Sequence, residues 1–224
     1  KWMDKGTLPE EALRAGLHAA VQKQSFVPEF CASAENNIGV ARMMDFIAKY
    51  GSSPVDRERV TAHDADGKEA DVALHDADPV CYVFKTMSEA QFGELSFFRV
   101  YSGHVKFGSE LYNTDRRTNE KIGQIYILNG KNRETVPSLG PGDIGAGVKL
   151  KDTHTGNTLS SAKKPVSLPK VVYPKPNIHA ALKSTSKGEE DKIAAGLAFL
   201  HHEDPTFLHH VVGELHQTVL SAQG

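Results

Sequence analysis

Residues 79–150 contain short apolar runs that recur about every ten residues and are separated by clusters of Gly, Pro, Asn and Asp. The runs are rich in β-branched and aromatic residues, as in VCYVF, LSFFRVY and KIGQIYIL. Alternation of this kind is typical of strands, and regular spacing of several strands is typical of a closed sandwich or barrel. Because no helical periodicity of useful length interrupts the stretch, we predict a small β-barrel.

The residues before the barrel predict an α/β fragment. Thr7-Leu-Pro-Glu10 has the form of a capping box, with Thr7 as the N-cap, and a helix is expected from there to about Gln24. An apolar segment at 26–32 predicts a short strand, and a second helix is expected to end near Gly51.

The residues after the barrel predict the order β-α-β-β. A strand is expected over 178–184, and then a helix that opens with a capping box at Ser186 and ends near His202. Residues 207–212 and 217–221 follow as a hairpin. This order is most of a ferredoxin-like split β-α-β unit without its last helix and strand.

Composition shifts along the chain suggest five parts. The segment 52–78 is acidic, and 166–176 is rich in proline, so both are interpreted as linkers. The predicted boundaries are 1–51 for the α/β fragment, 52–78 for a linker or strap, 79–165 for the barrel, 166–176 for a second linker and 177–224 for the β-α-β-β unit.

Charge and cysteine content narrow the class of protein. Two cysteines among 224 residues are too few for a disulfide framework of the secreted kind. The chain has neither a signal peptide nor a long apolar span, which favours a cytoplasmic protein without a membrane partner. Residues 79–165 contain 12 Lys and Arg against 8 Asp and Glu, whereas the whole chain has a net charge of −2. The barrel is therefore the basic part, as an approach to phosphate requires.

Several motifs, in the same order, resemble domain II of bacterial elongation factor G. The matching residues are Phe98 to Gly103, Gly142 to Ile144, Lys151, Asp152, Gly156, Thr158 and Leu159. Upstream, Cys31-Ala-Ser-Ala34 resembles the family's GTPase-domain loop that faces the guanine base. Downstream, PNIHAALKSTSKGEEDKIAAGLAFLHHEDPTF and QTVLSAQG resemble the start of domain III.

The resemblance implies a multidomain, mainly β fold class: a translation-factor β-barrel flanked by an N-terminal α/β fragment and a C-terminal partial ferredoxin-like α+β unit. It implies a fragment of a longer ribosome-binding GTPase that uses GTP and Mg²⁺ to move tRNA and mRNA. In this chain the sequence lacks the P-loop, switch and Asn-Lys-x-Asp motifs. We expect no GTPase activity and no cofactor here, with Ser33 and Ala34 as a remnant of the guanine loop.

Five basic residues are predicted to contact small-subunit ribosomal RNA, the partner that the resemblance implies for the barrel of a monomeric factor. They lie on two predicted hairpin loops near Tyr112 and Tyr126, and they are Arg116, Arg117, Lys121, Lys131 and Arg133. Cations of this kind contact phosphate and position a protein on RNA. The alternative is a solvated hairpin tip with Asp115 and Glu120 interleaved.

No metal site and no catalytic site is predicted. The histidines near the carboxyl end, which are His201, His202, His209, His210 and His216, lack the usual spacing of zinc ligands. Cys31 and Cys81 are interpreted as buried apolar residues, and Ser102 lacks the Gly-x-Ser-x-Gly elbow. Gly140-Pro-Gly-Asp-Ile-Gly145 matches a dinucleotide motif in letters, but a turn between strands is favoured because no helix is expected to follow it.

Two alternative functions stay open from the sequence. One is a paralogue of elongation factor G that serves in ribosome protection or recycling. The other is a free-standing β-barrel protein that binds RNA or protein without any GTPase.

Overall fold

The computed structural model describes residues 6–89, 93–184, 188–213 and 217–224, and the chain divides into two units after Arg57. None of the helices within these ranges is long and apolar enough to cross a membrane.

The first unit is helical. Its elements are α1 (Glu10–Gln22), α2 (Val40–Tyr50) and a short 3-10 turn (Pro54–Asp56). Both predicted helices are confirmed, but the N-cap of α1 is Pro9 rather than Thr7, with no side-chain hydrogen bond. Because Pro9 has extended backbone angles, the helix begins after it and leaves Thr7 outside.

The prediction of a strand at 26–32 is wrong. These residues form no strand, and the nearest pairing is one isolated bridge between Ser33 and Ile38. The apolar character of the segment suggested a strand, but a strand also needs a hydrogen-bonded neighbour, and Pro28 removes one donor.

The second unit contains the sheets. Its first thirteen strands are β1 (Arg59–Asp64), β2 (Glu69–Ala73), β3 (Val80–Glu89), β4 (Gly93–Ser102), β5 (Val105–Lys106), β6 (Glu110–Asn113), β7 (Thr118–Lys121), β8 (Ile125–Asn129), β9 (Asn132–Val136), β10 (Ser138–Leu139), β11 (Ile144–Val148), β12 (Thr158–Ser160) and β13 (Val166–Ser167).

Eight of these strands form one antiparallel sheet in the order β7-β6-β12-β3-β4-β11-β8-β9, and β5 pairs separately with β10. The alternating residues of β4 place Phe98 and Val100 in a core that also contains Val105, Leu111 and Leu139. Strands from both ends of the sheet thus surround one interior. Among the described strands the hydrogen bonding does not close into a complete barrel, since β7 and β9 remain the two edges. The mainly β class is confirmed.

Residues 52–78 contain a regular hairpin that their acidic composition did not indicate. Strands β1 and β2 pair with each other, and β1 pairs with β13. The Asp64 carboxylate accepts hydrogen bonds from the N–H groups of Asp66 and Lys68, both at 2.9 Å, and Gly67 has φ of 79°. Aspartate is therefore a turn-forming residue here. The domain boundaries as such stay predictions.

The last part confirms the predicted β-α-β-β order. Its elements are β14 (Ile178–Leu182), α3 (Glu190–Glu203), β15 (Leu208–Val212) and β16 (Gln217–Ala222). The sheet order is β14-β16-β15, with β16 antiparallel to both neighbours. This is the arrangement of a split β-α-β unit. The predicted cap residue Ser186 lies outside the described residues.

Candidate nucleic-acid interface

The turn between β6 and β7, residues 114–117, is organised by the buried side chain of Asn113. Its carbonyl oxygen accepts hydrogen bonds from the N–H groups of Asp115 (3.1 Å) and Arg116 (3.0 Å). Its amide nitrogen donates to the Asp152 carbonyl and to the side chains of Thr153 and Asn157, each at 3.1 Å. The turn that presents Arg116 and Arg117 is therefore held in place by the β11–β12 loop.

Asp115 and Glu120, which the alternative of a solvated hairpin tip places among the cations, are turned inward. Glu120 is 1% exposed, and its carboxylate accepts hydrogen bonds from Lys151 N (2.9 Å), Asp152 N (2.8 Å) and Thr153 Oγ (2.8 Å). The Asp115 carboxylate accepts from Thr158 N at 2.8 Å, and its side chain is 10% exposed. Neither acid is therefore a solvated neighbour of the arginines.

The Arg116 side chain is exposed, but it already binds the carboxylate of Asp152. Its Nε atom lies 2.9 Å from both carboxylate oxygens of Asp152. The hydrogen bond from Arg116 lowers the pKa of Asp152, and His154, whose Nε2 is 3.1 Å from the same carboxylate, lowers it further. Part of the Arg116 charge is thus offset by Asp152.

Arg117 has a different environment. It has φ of 56° and lines a cleft of about 380 Å³ together with Tyr112, His63 and Asp64. Within the described ranges no carboxylate lies within 4 Å of its guanidinium. Its charge is therefore available to an anionic partner.

The remaining predicted cations lie elsewhere on the sheet. Lys121 ends β7, Lys131 is exposed in the turn between β8 and β9, and Arg133 is half-buried in β9. In sheet order the β6–β7 and β8–β9 hairpins are separated by four strands, β12, β3, β4 and β11. The structure therefore brings Arg116 and Arg117 together in one turn, with Lys121 at the end of the same hairpin, and leaves Lys131 and Arg133 on the β8–β9 hairpin.

Sequence reasoning missed Lys149 and Lys151, which line a groove together with Lys121. Lys149 has φ of 61°, a conformation that few non-glycine residues adopt. In the sequence, Lys151 stands out only as part of a family motif. Nothing in the local pattern could have indicated this grouping, because it depends on the hydrogen bonds of Glu120 across 31 residues.

The loop of Ser33 and Ala34 is compact. The Ser33 N–H and carbonyl are both bonded to Ile38, at 2.9 and 3.0 Å, and its hydroxyl accepts from the Asn36 side chain at 3.1 Å. The Ala34 carbonyl accepts from Asn37 N, whereas the Ala34 N–H has no hydrogen-bond partner in the part of the chain that the structure describes. That N–H could donate to a carbonyl group such as the one on guanine.

The two cysteines differ. Cys31 is exposed, so the expectation that it is buried in a strand is wrong, for the reason given for residues 26–32. Cys81 is fully buried on β3, as predicted, and burial raises the pKa of its thiol to about 12. A thiol in that environment behaves as a small apolar side chain.

In the glycine-rich run 140–145, residues 140–143 form a turn between β10 and β11, as predicted, and residues 144–145 begin β11. The Gly140 N–H is bonded to the Asp143 carboxylate at 2.8 Å, and Gly142 has φ of 90°. A side chain at Gly145 would overlap with Leu139 and approach the Tyr126 carbonyl oxygen to 2.9 Å. These glycines are needed for a tight turn and close strand packing.

The histidines near the carboxyl end make specific contacts. His201 Nδ1 lies 2.7 Å from the Phe207 carbonyl, and His202 stacks on His154. His216 lies outside the described residues. The described ranges contain no group of three potential ligands placed to hold a metal ion.

Comparison with known families and structures accounts for most of the chain. Residues 79–162 match the family described as elongation factor G domain 2, and residues 173–224 match elongation factor G, domain III. A crystal structure of a protein from Thermus thermophilus is similar over 100% of this chain, with a TM-score of 0.80 and 26% identity. The chain spans 32% of the length of that protein. Since both domain families match in order and the fold agrees throughout, the chain is an elongation factor G-like fragment.

Proposed function

We propose that this chain is the docking region of a ribosome-binding translational GTPase, and that its sheet domain contacts small-subunit ribosomal RNA. The observation that supports this most is the inward orientation of Asp115 and Glu120. Both carboxylates are used by internal donors, so the exposed surface of the β6–β7 hairpin keeps Arg117 and Lys121 without a contacting acid among the described residues.

The chemistry of these groups suits a phosphate backbone. Guanidinium and ammonium groups on a fixed turn contact phosphate oxygens and position a protein without recognising sequence. The surplus of cations in residues 79–165 agrees with this use. The function of the sheet domain would be attachment and orientation, in a monomeric cytoplasmic factor.

GTP and Mg²⁺ belong to the longer protein in this proposal, where they supply the hydrolysis that drives tRNA and mRNA movement. Among the described residues, the Ser33-Ala34 loop is the part proposed to face the nucleotide, through the Ala34 N–H. The loop has no cation or phosphate-binding motif of its own, so the chain alone is proposed to lack GTPase activity.

Co-sedimentation with separated ribosomal subunits tests the proposal. At low salt the chain is expected to pellet with the small subunit more than with an equal amount of the large subunit, and to be released as salt is raised. Equal pelleting with both subunits, or none with the small subunit, would contradict the proposed docking.

A further inference from the structure

A groove of about 670 Å³ lies where the end of β7, β8 and the end of β11 meet. Its apolar wall includes Phe107, Ile122, Tyr126 and Val148. Ile122, Tyr126 and Val148 are buried, but Phe107 is 67% exposed. An aromatic ring that is mostly in water beside an apolar floor provides a flat surface for another planar group.

The rim of the same groove is basic. Lys121, Lys149 and Lys151 line it and are all exposed. Among the described residues, none of the three ammonium groups has a carboxylate within 4 Å. By contrast, Arg116 and Lys170 are both paired with aspartates. The groove therefore has a local positive charge that the described part of the chain leaves unpaired.

Glu120, an acidic residue of the lining, explains why these lysines stay together. The buried Glu120 carboxylate binds the N–H groups of Lys151 and Asp152, which fastens the strand end after β11 to β7. Lys121 follows Glu120 directly, so the same contact brings Lys121 and Lys151 to one rim. Because Glu120 is 1% exposed and accepts three hydrogen bonds, its charge points away from solvent.

Flat apolar surface beside unpaired cations is complementary to a nucleotide that is not stacked in a helix. The base would lie on Phe107, and its phosphates would contact the lysines. Aromatic side chains bind single-stranded nucleic acid in this way regardless of sequence, whereas the bases of a duplex are already stacked and unavailable.

We propose that the Phe107 groove binds one unstacked nucleotide of single-stranded RNA. The inference rests on the RNA-binding role proposed above and deepens it, because it names the kind of RNA that this part of the surface recognises. An acidic peptide is the other ligand with matching charge, and it lacks the planar group that Phe107 would contact.

Titration of the ¹⁵N-labelled chain followed by NMR tests the proposal with three probes: a single-stranded adenosine hexanucleotide, a 12-base-pair RNA duplex and a hexaglutamate peptide. The hexanucleotide is expected to bind most tightly and to shift the amide signals of Gly123 and Lys149. Phe107→Ala should weaken this binding about tenfold. Phe84→Ala, which removes another exposed ring on β3, should leave it unchanged.

Salt dependence gives an independent readout. Lys149→Gln should lower the slope of log K against log salt by about 0.7, whereas Lys164→Gln should not change it. The groove proposal is overturned if the duplex or the peptide binds as tightly as the hexanucleotide, or if Phe107→Ala binds like the wild type. If those results come with normal pelleting on the small subunit, the groove inference fails and the docking proposal stands. If the hexanucleotide binds as predicted but the chain does not pellet with the small subunit, the groove inference stands and the docking proposal fails.

Discussion

His154 and His202 stack with their ring centroids 3.9 Å apart and their planes inclined by 25°. His154 lies in the loop between β11 and β12, and His202 lies in the last turn of α3, so the stack joins the eight-stranded sheet to the β-α-β-β part. Thr86 reinforces the junction, since its hydroxyl donates to the His202 carbonyl at 3.0 Å. Protonation of His202 would place a charge at this packed junction, which makes the junction sensitive to pH.

The first prediction concerns acid stability. Burial lowers the pKa of His202 below its usual 6.5, and the charges of His154, His201 and Arg116 lower it further. The unfolded chain therefore binds this proton more readily than the folded chain. Stability that is present above about pH 6.5 is lost as the pH falls through the lowered pKa. Urea unfolding of the wild type should show a lower free energy of unfolding at about pH 5.5 than at about pH 7.5.

The matched variants identify the residue responsible. His202→Gln should show a smaller loss than the wild type between the same two pH values, and His75→Gln, which changes an exposed histidine between β2 and β3, should behave like the wild type. An undiminished loss in His202→Gln would refute the assignment to the stacked pair.

The second prediction concerns the buried carboxylate of Glu120. In Glu120→Gln one oxygen becomes an NH₂ group that faces an N–H or hydroxyl donor, and the charge that strengthens the other hydrogen bonds is lost. We expect a free energy of unfolding lower by about 2 kcal/mol, measured by urea denaturation. Glu110→Gln on the exposed face of β6 should change it by less than about 0.5 kcal/mol. Equal small effects of the two variants would show that the Glu120 contacts contribute little.

The third prediction separates the two thiols. Cys81 is fully buried and its pKa is raised to about 12, so almost no thiolate forms near neutral pH, whereas Cys31 is exposed. Titration of the native chain with a disulfide reagent should modify one thiol quickly and the second only after denaturant is added. Cys31→Ser should remove the fast reaction. Rapid modification of two thiols in the native wild type would contradict the buried position of Cys81.

The elements that are predicted correctly from the sequence are those whose signals lie within a short stretch of residues. The alternation in LSFFRVY reflects the alternating faces of β4, and the order β-α-β-β follows from short periodic segments. The apolar residues at 26–32 show the limit of this approach. Apolar composition favours burial but does not indicate whether another strand lies beside the segment, and none does among the described residues.

The candidate site was harder to predict from the sequence, because it too depends on contacts between residues that are distant in the sequence. A charged residue in a sequence shows nothing about its partner, so the alternative of a solvated tip with Asp115 and Glu120 interleaved stayed open, whereas both carboxylates bind donors 43 and 31 residues further along. Asp64 was interpreted as part of an acidic linker, although its carboxylate closes the β1–β2 turn. The groove lysines are likewise brought together only by tertiary contacts.

The fourth prediction concerns nucleotide. A phosphate site requires several backbone N–H groups and a lysine in one loop, and the loop that contains Ser33 and Ala34 has no lysine. Calorimetric titration of the chain with GTP or GDP in the presence of Mg²⁺ should therefore show no binding heat. Micromolar affinity would mean that the chain contains a nucleotide site outside this loop.

Docking through the basic hairpin between β6 and β7 is tested most directly by co-sedimentation with small ribosomal subunits across a salt series. Arg116→Glu/Arg117→Glu should weaken binding and reduce the slope of log K against log salt by about one unit per lost phosphate contact. Lys163→Glu/Lys164→Glu, which reverses two adjacent exposed cations on another turn, should retain most of the wild-type affinity. Both variants should remain folded at the temperature of the binding assay. Coincident binding curves for the wild type and the arginine variant would contradict docking through this hairpin.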